Sequence, residues 1–503
     1  MPALTPSTSY RVIVAWMRLL LRAFFRRIEV AGEHNVPNTQ GTLLVSWHPN
    51  GLIDPALVIA HCPRAVVFGA RHGLFRYPIL GTLLRRIGTV PIRRAIDRGS
   101  GTDAQRREAN RKAVDALAQR VADGAVSALF PEGDSHDDSN VQRLKTGAAH
   151  MYYRARTLAG QGQAPPVIVP VGLHYDEKHV FRSSALVTFH TPLKLPADLD
   201  ITPPEDEDEA TAKQRAADLT DHVSIVLREV VHATEDWNVH HLLHRARRLV
   251  RAETGARAGV DPGKTSLQER VFGFAQVRRA YEKARRDAPA KLDGLRKRLQ
   301  DYDTDLRALG LEDYDLDRSP RLASPWLALV AVAQLVGVFL LLPPLVTIGY
   351  AVNVPPALLV LGLTKLASKR VKDEATVKLL AGAILLPLTW VAVAIAAAAI
   401  HVQLAAGFRG IPQGAIWTGV LTFVACAVGG AVAVRYVRVA RETGRAIAVR
   451  ITRTRRRIAV ARLKVERGEL HDELLALVAT GEGPPSRPES PPPTAAPAPA
   501  QNG

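Results

Sequence analysis

The sequence contains very little cysteine, with only Cys62 and Cys426 among 503 residues. Two thiols exclude a disulfide framework and a cysteine-rich zinc site, and they fit a reducing compartment. Acidic residues are also scarce relative to basic ones, since 48 Asp and Glu face 66 Lys and Arg and leave a net charge of +18. This positive charge indicates an anionic partner, either nucleic acid or the anionic surface of a membrane.

Long apolar stretches favour the membrane. Residues 324–350 carry no charge over a length that spans a bilayer core at about 1.5 Å per residue. Further apolar stretches follow at about 354–366, 377–400 and 412–434. The second is short and contains Lys365, so half of a re-entrant hairpin is the alternative to a span. We predict an integral membrane protein with about four apolar segments.

Basic residues next to these stretches predict an orientation. A basic cluster at 369–372 and the dense basic run from residue 435 lie beside the apolar segments, whereas the other connections carry little charge. Cytoplasmic loops are enriched in Lys and Arg, so residues 1–323 and 435–503 should face the cytoplasm. The basic run should bind anionic membrane lipids, and we expect no nucleic acid as a partner.

Short β-branched runs alternate with helical stretches from residue 42 to residue 190. Such alternation predicts an α/β domain with a largely parallel sheet, and ligands usually bind at the carboxyl edge of such a sheet. The predicted strands are TLLVSW, AVVFGA, TVPI, AVSALF, VIVPVGL and ALVTFH.

Six segments are expected along the chain, each with its own composition. The first is a basic amphipathic helix that should lie in a membrane interface, with packing into a protein core as the alternative. The segments are an amphipathic helix at 1–30, an α/β catalytic domain at 31–200, a charged helical region at 201–323, the transmembrane region at 324–434, a basic helix at 435–480 and a disordered Pro-rich tail at 481–503.

A histidine and an aspartate follow the first of the predicted strands. His48 leaves the strand TLLVSW, and Asp54 comes one tight turn later, with Gly51 able to supply a positive φ between them. A carboxylate in this position can orient an imidazole that acts as a general base. Alternatively, Asp54 caps the next helix ahead of Pro55, and His48 is a satisfied histidine at a strand end.

Two other strand ends carry groups suited to an anionic substrate. Arg93 and Arg94 follow the strand TVPI, and guanidinium groups bind phosphate through paired hydrogen bonds. Glu132 and Gly133 follow the strand AVSALF, with Lys145 a short way beyond them. The acidic residues after Gly133 are interpreted as a solvated loop, and no metal is expected there.

Four ordered motifs resemble those of a known family. HPNGLIDP, GTVPIRR, FPEGDSHDD with LKTGA, and VPVGLHY occur in the order found in the glycerolipid acyltransferases. The resemblance is closest to the eukaryotic-type glycerol-3-phosphate and dihydroxyacetone-phosphate acyltransferases, and it extends weakly to about residue 390. It departs from the family in two places: five residues separate His48 from Asp54 where four are commoner, and Asp134 stands where an arginine often follows the FPEG turn.

The resemblance implies a reaction of phospholipid biosynthesis. His48 would deprotonate the sn-1 hydroxyl of glycerol 3-phosphate, Asp54 would orient His48, and the oxygen would attack a fatty-acyl thioester carried by coenzyme A or acyl-carrier protein. Arg94 and the Glu132–Gly133 turn would bind the phosphorylated acceptor, assisted by Arg93 and Lys145. Such a reaction requires no cofactor beyond the acyl donor.

Two alternatives remain open at this stage. The same residues could acylate lysophosphatidate or another lysolipid. Alternatively, the protein belongs to a different functional class and organises anionic lipid through its basic helices without catalysing a reaction.

Overall fold

The computed structural model comprises an α/β unit, a helical region and a set of long apolar helices, in that order along the chain. The structure describes residues 6–76, 78–92, 102–159, 163–204, 206–259, 266–317, 332–333, 335–368, 370–408, 410, 412 and 414–481.

One sheet of seven strands organises the described part of the α/β unit. Its order is β1-β7-β6-β2-β5-β3-β4, and neighbouring strands are parallel except for the antiparallel pair β6 and β7. The largely parallel sheet predicted from the sequence is confirmed. The strands are β1 (Arg27–Ala31), β2 (Thr42–Ser46), β3 (Val66–Arg71), β4 (Val90–Ile92), β5 (Val126–Leu129), β6 (Val167–Tyr175) and β7 (Ser184–Phe189).

Helices cover both faces of this sheet. All five residues of the central strand β2 are buried, as expected for a parallel strand with both faces covered. The helices of this unit are α1 (Thr8–Phe24), α2 (Ile53–His61), α3 (Pro78–Arg86), α4 (Asp103–Ala122), α5 (Gly147–Leu158) and α6 (Glu209–Val230).

The unit extends past both ends of the predicted catalytic domain. Strand β1 begins at Arg27 and pairs with β7 from Arg27 opposite Ser184, so the sheet starts before residue 31. At the other end, Leu219 and Leu227 of α6 are buried in the cluster that packs against the sheet. Helix α6 therefore belongs with the sheet, although it follows the predicted boundary at residue 200.

Helix α1 has two apolar faces with different surroundings. Leu21 and Phe24 are buried in the core under the sheet, which is the packing alternative considered for this segment. Trp16 and Leu19 are exposed on the other face. Packing and contact with a membrane surface are therefore compatible in one helix.

The helical region consists of α7 (Trp237–Arg257), α8 (Leu267–Asp287) and α9 (Pro289–Ala308), against which α13 (Arg457–Gly481) packs. Arg467 of α13 is buried and ion-pairs with Glu253 of α7 at 2.7 Å and with Asp317 at 2.6 Å. Part of the predicted basic helix thus binds protein carboxylates.

Three described helices are long and apolar enough to cross a membrane. They are α10 (Leu342–Ala367, the qualifying part being Gly349–Ala367), α11 (Val371–Gly407) and α12 (Ala415–Arg455). One helix, α10, covers both the end of the first predicted apolar segment and all of the second. The two segments, predicted as separate, are therefore joined in one helix that contains Pro355 and Pro356.

Asn353 joins the three apolar helices. Its side-chain amide donates to the carbonyl of Cys426 on α12 at 3.1 Å and accepts from the indole of Trp390 on α11 at 2.9 Å. Large apolar side chains on the outside of the same helices, such as Leu388 and Leu421, are exposed. A polar centre with an apolar exterior is the pattern of helices that pack together in lipid.

Candidate active site

The turn between β2 and α2 brings His48 and Asp54 together. The Nδ1 atom of His48 lies 2.8 Å from Oδ2 of Asp54, whose side chain is fully buried. The backbone N–H of Asn50 also donates to Oδ2, at 2.6 Å. Helix α2 begins at Ile53, so Asp54 lies inside its first turn and does not cap it. The contact predicted from the spacing is present, and the capping alternative is wrong.

Asp54 has one further partner from a distant strand. The hydroxyl of Tyr175, the last residue of β6, donates to Oδ1 of Asp54. Burial, together with the neighbouring Asp54 charge, raises the pKa of Tyr175 well above its usual value. The phenol therefore remains a donor at neutral pH, and Asp54 is held at both oxygens.

His48 presents its other nitrogen away from Asp54. With Nδ1–H donating to Asp54, Nε2 carries the free lone pair. No described residue hydrogen-bonds to Nε2, and 18% of the side chain is exposed. The ring stacks on Phe130 with centroids 4.2 Å apart, which fixes its plane. This nitrogen can accept a proton from a substrate hydroxyl.

The first turns of helix α11 contact the same turn. The backbone N–H of Leu52 donates to Oγ1 of Thr376 at 3.1 Å. Gly51 has the positive φ that its position predicted, at 39°, and a Cβ there would lie 2.8 Å from the same Oγ1. The turn therefore requires glycine for its conformation and for this close approach.

Glu132 lies beneath His48 and does not face solvent. Its side chain is fully buried, and Oε2 accepts from the backbone N–H of His48 at 2.7 Å. Oε1 accepts from Nε2 of His136 at 2.8 Å and from the backbone N–H of Gln142 at 2.9 Å. These contacts occupy both oxygens and connect the turn after β5 to the turn after β2.

Lysines surround the two turns. Lys145 lies over Gly133, where a Cβ would come within 2.5 Å of its ammonium nitrogen; the φ of Gly133 is 78°. Lys178 donates to the carbonyls of Pro49 at 2.9 Å and His136 at 3.2 Å. Arg93 and Arg94, which the sequence placed near this edge, lie outside the described residues.

Lys372 connects the turn after β5 to the apolar helices. Its ammonium group donates to the carbonyl of Ser135 and lies 3.5 Å from Asp134. Sequence reasoning missed Lys372, Thr376 and Tyr175 as partners of the site. Tyr175 ends one of the four motifs, and Lys372 and Thr376 lie in the segment KDEATVK, within the weaker part of the resemblance.

Part of the α/β unit is similar to a known family. Residues 27–174, which include both turns, match the family model described as Acyltransferase. The match ends before β7 and leaves out the helical region and the apolar helices.

Individual relatives match a part of the chain. An uncharacterized acyltransferase of Schizosaccharomyces pombe is 23% identical over an alignment of 263 residues that covers 36% of this chain and 38% of that protein. Glycerol-3-phosphate O-acyltransferase 1 of Saccharomyces cerevisiae is 29% identical over 199 residues, 39% of this chain and 24% of that protein. The chain thus spans well under half the length of these relatives.

A solved structure was also found. The 1-acyl-sn-glycerophosphate acyltransferase of Thermotoga maritima aligns with 44% of this chain and 80% of its own, at 16% identity and a TM-score of 0.29.

Proposed function

We propose that the protein is a membrane-bound acyltransferase that moves a fatty acyl group from a thioester to the sn-1 hydroxyl of glycerol 3-phosphate. The observation that carries the proposal is the His48–Asp54 contact of 2.8 Å with Nε2 left open, inside a domain that matches the acyltransferase family. The name of the Saccharomyces cerevisiae relative supports the choice of acceptor.

His48 acts as the base and then as the acid. Nε2 removes the proton from the glycerol hydroxyl while its oxygen forms a bond to the thioester carbonyl carbon. The buried carboxylate of Asp54 stabilises the resulting imidazolium. The tetrahedral intermediate collapses by breaking the carbon–sulfur bond, and the imidazolium returns the proton to the thiolate. The products are an ester and a free thiol.

Basic groups at the same edge bind the phosphate of the acceptor. Lys145 is exposed beside Gly133 and is available for this role, together with Arg93 and Arg94. Glu132 is a positioning residue, because a buried carboxylate that holds the backbone of His48 fixes the turn and repels phosphate.

The reaction takes place at the membrane surface. The acyl donor is acyl-coenzyme A or acyl-carrier protein, and no other cofactor is required. The apolar helices hold the domain at the bilayer, with its active site on the cytoplasmic side and anionic lipids at the basic segments. The insoluble product can then enter the membrane directly.

A panel of acceptors tests this proposal. Purified full-length protein in lipid nanodiscs is given radiolabelled palmitoyl-coenzyme A with glycerol 3-phosphate, dihydroxyacetone phosphate, lysophosphatidate or lysophosphatidylcholine. We expect transfer to glycerol 3-phosphate that His48→Ala abolishes. Transfer to lysophosphatidate alone would replace the proposed acceptor, and transfer to none would favour a non-catalytic role in organising lipid.

A further inference from the structure

A cavity of about 350 Å³ lies in the helical region, between α7, α8, α9 and α13. Its volume is at the small end of the range for ligand sites. It shares no residue with the turns around His48. Leucine and valine side chains from all four helices form most of its wall, among them Leu242, Val250, Val277, Leu292, Leu299 and Leu475. An interior of this kind suits a hydrocarbon chain.

Positive charge lines one side of the same cavity. Arg247 and Arg270 both contribute to the wall. The Nε and Nη1 atoms of Arg247 are buried, and neither has a hydrogen-bond partner within the described structure. Burial, followed by the charges of Arg270 and Arg248, lowers the pKa of Arg247 to about 10. A buried cation with unsatisfied donors is unfavourable, and an anion in the cavity would satisfy it.

The charged wall is also connected to the candidate active site. Nη2 of Arg270 donates to Oδ2 of Asp176 at 2.8 Å. Asp176 directly follows Tyr175, the residue that donates to Asp54. The cavity therefore lies beside the strand end at which the acylated product would form.

We infer that this cavity binds an anionic lipid with one acyl chain and a phosphate head group. The chain lies among the leucines and valines, and the phosphate pairs with Arg247. A volume of about 350 Å³ is too small for two long acyl chains. The choice of a monoacyl phosphate rests on the proposed function, because the product of that reaction belongs to this class.

Gly273 allows the cavity to be filled from within. It lines the cavity on α8, and a Cβ there would lie 3.5 Å from Cδ of Arg247, an ordinary contact. Gly273→Leu should occupy the chain site, whereas Gly273→Ala should fit and serves as its control. Arg247→Gln removes the head-group charge. Its control is Arg248→Gln, which removes the same charge from an exposed neighbour that does not line this cavity.

The test measures binding, not acyl transfer. Fluorescent palmitoyl lysophosphatidate is titrated into the full-length protein in phosphatidylcholine nanodiscs. Gly273→Leu and Arg247→Gln should each raise Kd about tenfold or more, and the controls should stay within about twofold. Each methylene removed from a competing lipid should weaken its competition about fourfold where the chain is buried.

Three results would overturn the inference: unchanged affinity in both Gly273→Leu and Arg247→Gln, competition by inorganic phosphate as strong as by the lipid, or competition by neutral monopalmitoylglycerol as strong as by the lipid. The acyl-transfer activity of the parent protein separates this inference from the proposed function. Variant-sensitive binding in a parent protein that transfers no acyl group supports the cavity and rejects only the reaction, whereas an active parent enzyme with no variant-sensitive binding rejects the cavity.

Discussion

Two neighbouring turns each contain a histidine 2.8 Å from a carboxylate, but they present the imidazole differently. In the turn after β2, His48 uses Nδ1 toward Asp54, and 18% of its side chain is exposed. In the turn after β5, His136 uses Nε2 toward Glu132, its Nδ1 accepts from the backbone N–H of Asp138 at 3.2 Å, and only 5% is exposed.

The difference shows why one pair is suited to chemistry and the other to structure. Both ring nitrogens of His136 are occupied, so this residue has no free lone pair for a substrate proton. His48 keeps one nitrogen open. The second pair supports the first, because Glu132 also accepts the backbone N–H of His48. Contact length alone does not distinguish the two pairs; the unoccupied nitrogen makes His48 the candidate base.

The largest predicted effect comes from removing the open imidazole. His48→Ala should lower the rate of acyl transfer by on the order of 10⁴-fold, because no other group takes the proton. The melting temperature should fall less than in His136→Ala, since Asp54 keeps its contacts with Asn50 and Tyr175 and water can enter the partly exposed space left by the ring. Rate and melting temperature are measured on the same preparation. A rate within tenfold of the parent enzyme would remove His48 from the mechanism.

Asp54→Asn should be the next most severe change. The amide retains the shape of the side chain but cannot stabilise an imidazolium with a full charge, so the rate should fall on the order of 10³-fold. Asp138→Asn in the other turn is the matched control, because Asp138 is exposed and its partners among the described residues are neighbours in its own loop. Equal activity in the two variants would contradict the distinction between the turns.

His136→Ala should lower stability more than His48→Ala does, and lower the rate of acyl transfer far less. It leaves Glu132 without one partner in a buried site, which should lower stability by about 1–3 kcal/mol. The rate should fall about tenfold at most, through displacement of His48. Thermal unfolding in detergent and the acyl transfer assay measure the two effects. A large loss of activity without loss of stability would give His136 a chemical role.

The smallest predicted effect tests the contact from the apolar helices. Thr376→Val removes the acceptor for the backbone N–H of Leu52. The lost hydrogen bond is worth about 1 kcal/mol, and if all of it positions the turn, the rate of acyl transfer should fall roughly fivefold. Thr389→Val on the same helix is the control, since that hydroxyl donates to the carbonyl of Leu385 in its own helix and to no other described residue. Identical rates in both variants would show that α11 does not position the turn.

Local patterns predicted the sheet and the His48–Asp54 contact, because each depends on residues that are close together in the sequence. β-branched runs gave six strands, and the spacing from His48 to Asp54 gave their contact. Strand β1 was missed, since its five residues follow a helix directly and depend for pairing on β7, far along the chain.

Partners from distant parts of the chain could not be predicted. The contact between Leu52 and Thr376 joins residues 324 positions apart, and no local pattern encodes it. Glu132 was assigned to substrate binding because it occurs in a turn at the correct edge, yet its burial under His48 depends on three-dimensional packing. The apolar stretches at 324–350 and 354–366 were predicted as separate segments, whereas α10 runs from the first into the second and contains Pro355 and Pro356.

Addition of imidazole to His48→Ala tests most directly whether this side chain is the base. The variant is assayed with glycerol 3-phosphate and palmitoyl-coenzyme A over a range of imidazole concentrations. Free imidazole should enter the space left by the ring and raise the rate of His48→Ala in proportion to its unprotonated form, with no such rise for Asp54→Asn. A His48→Ala enzyme that transfers acyl groups at the parent rate without imidazole would contradict the account.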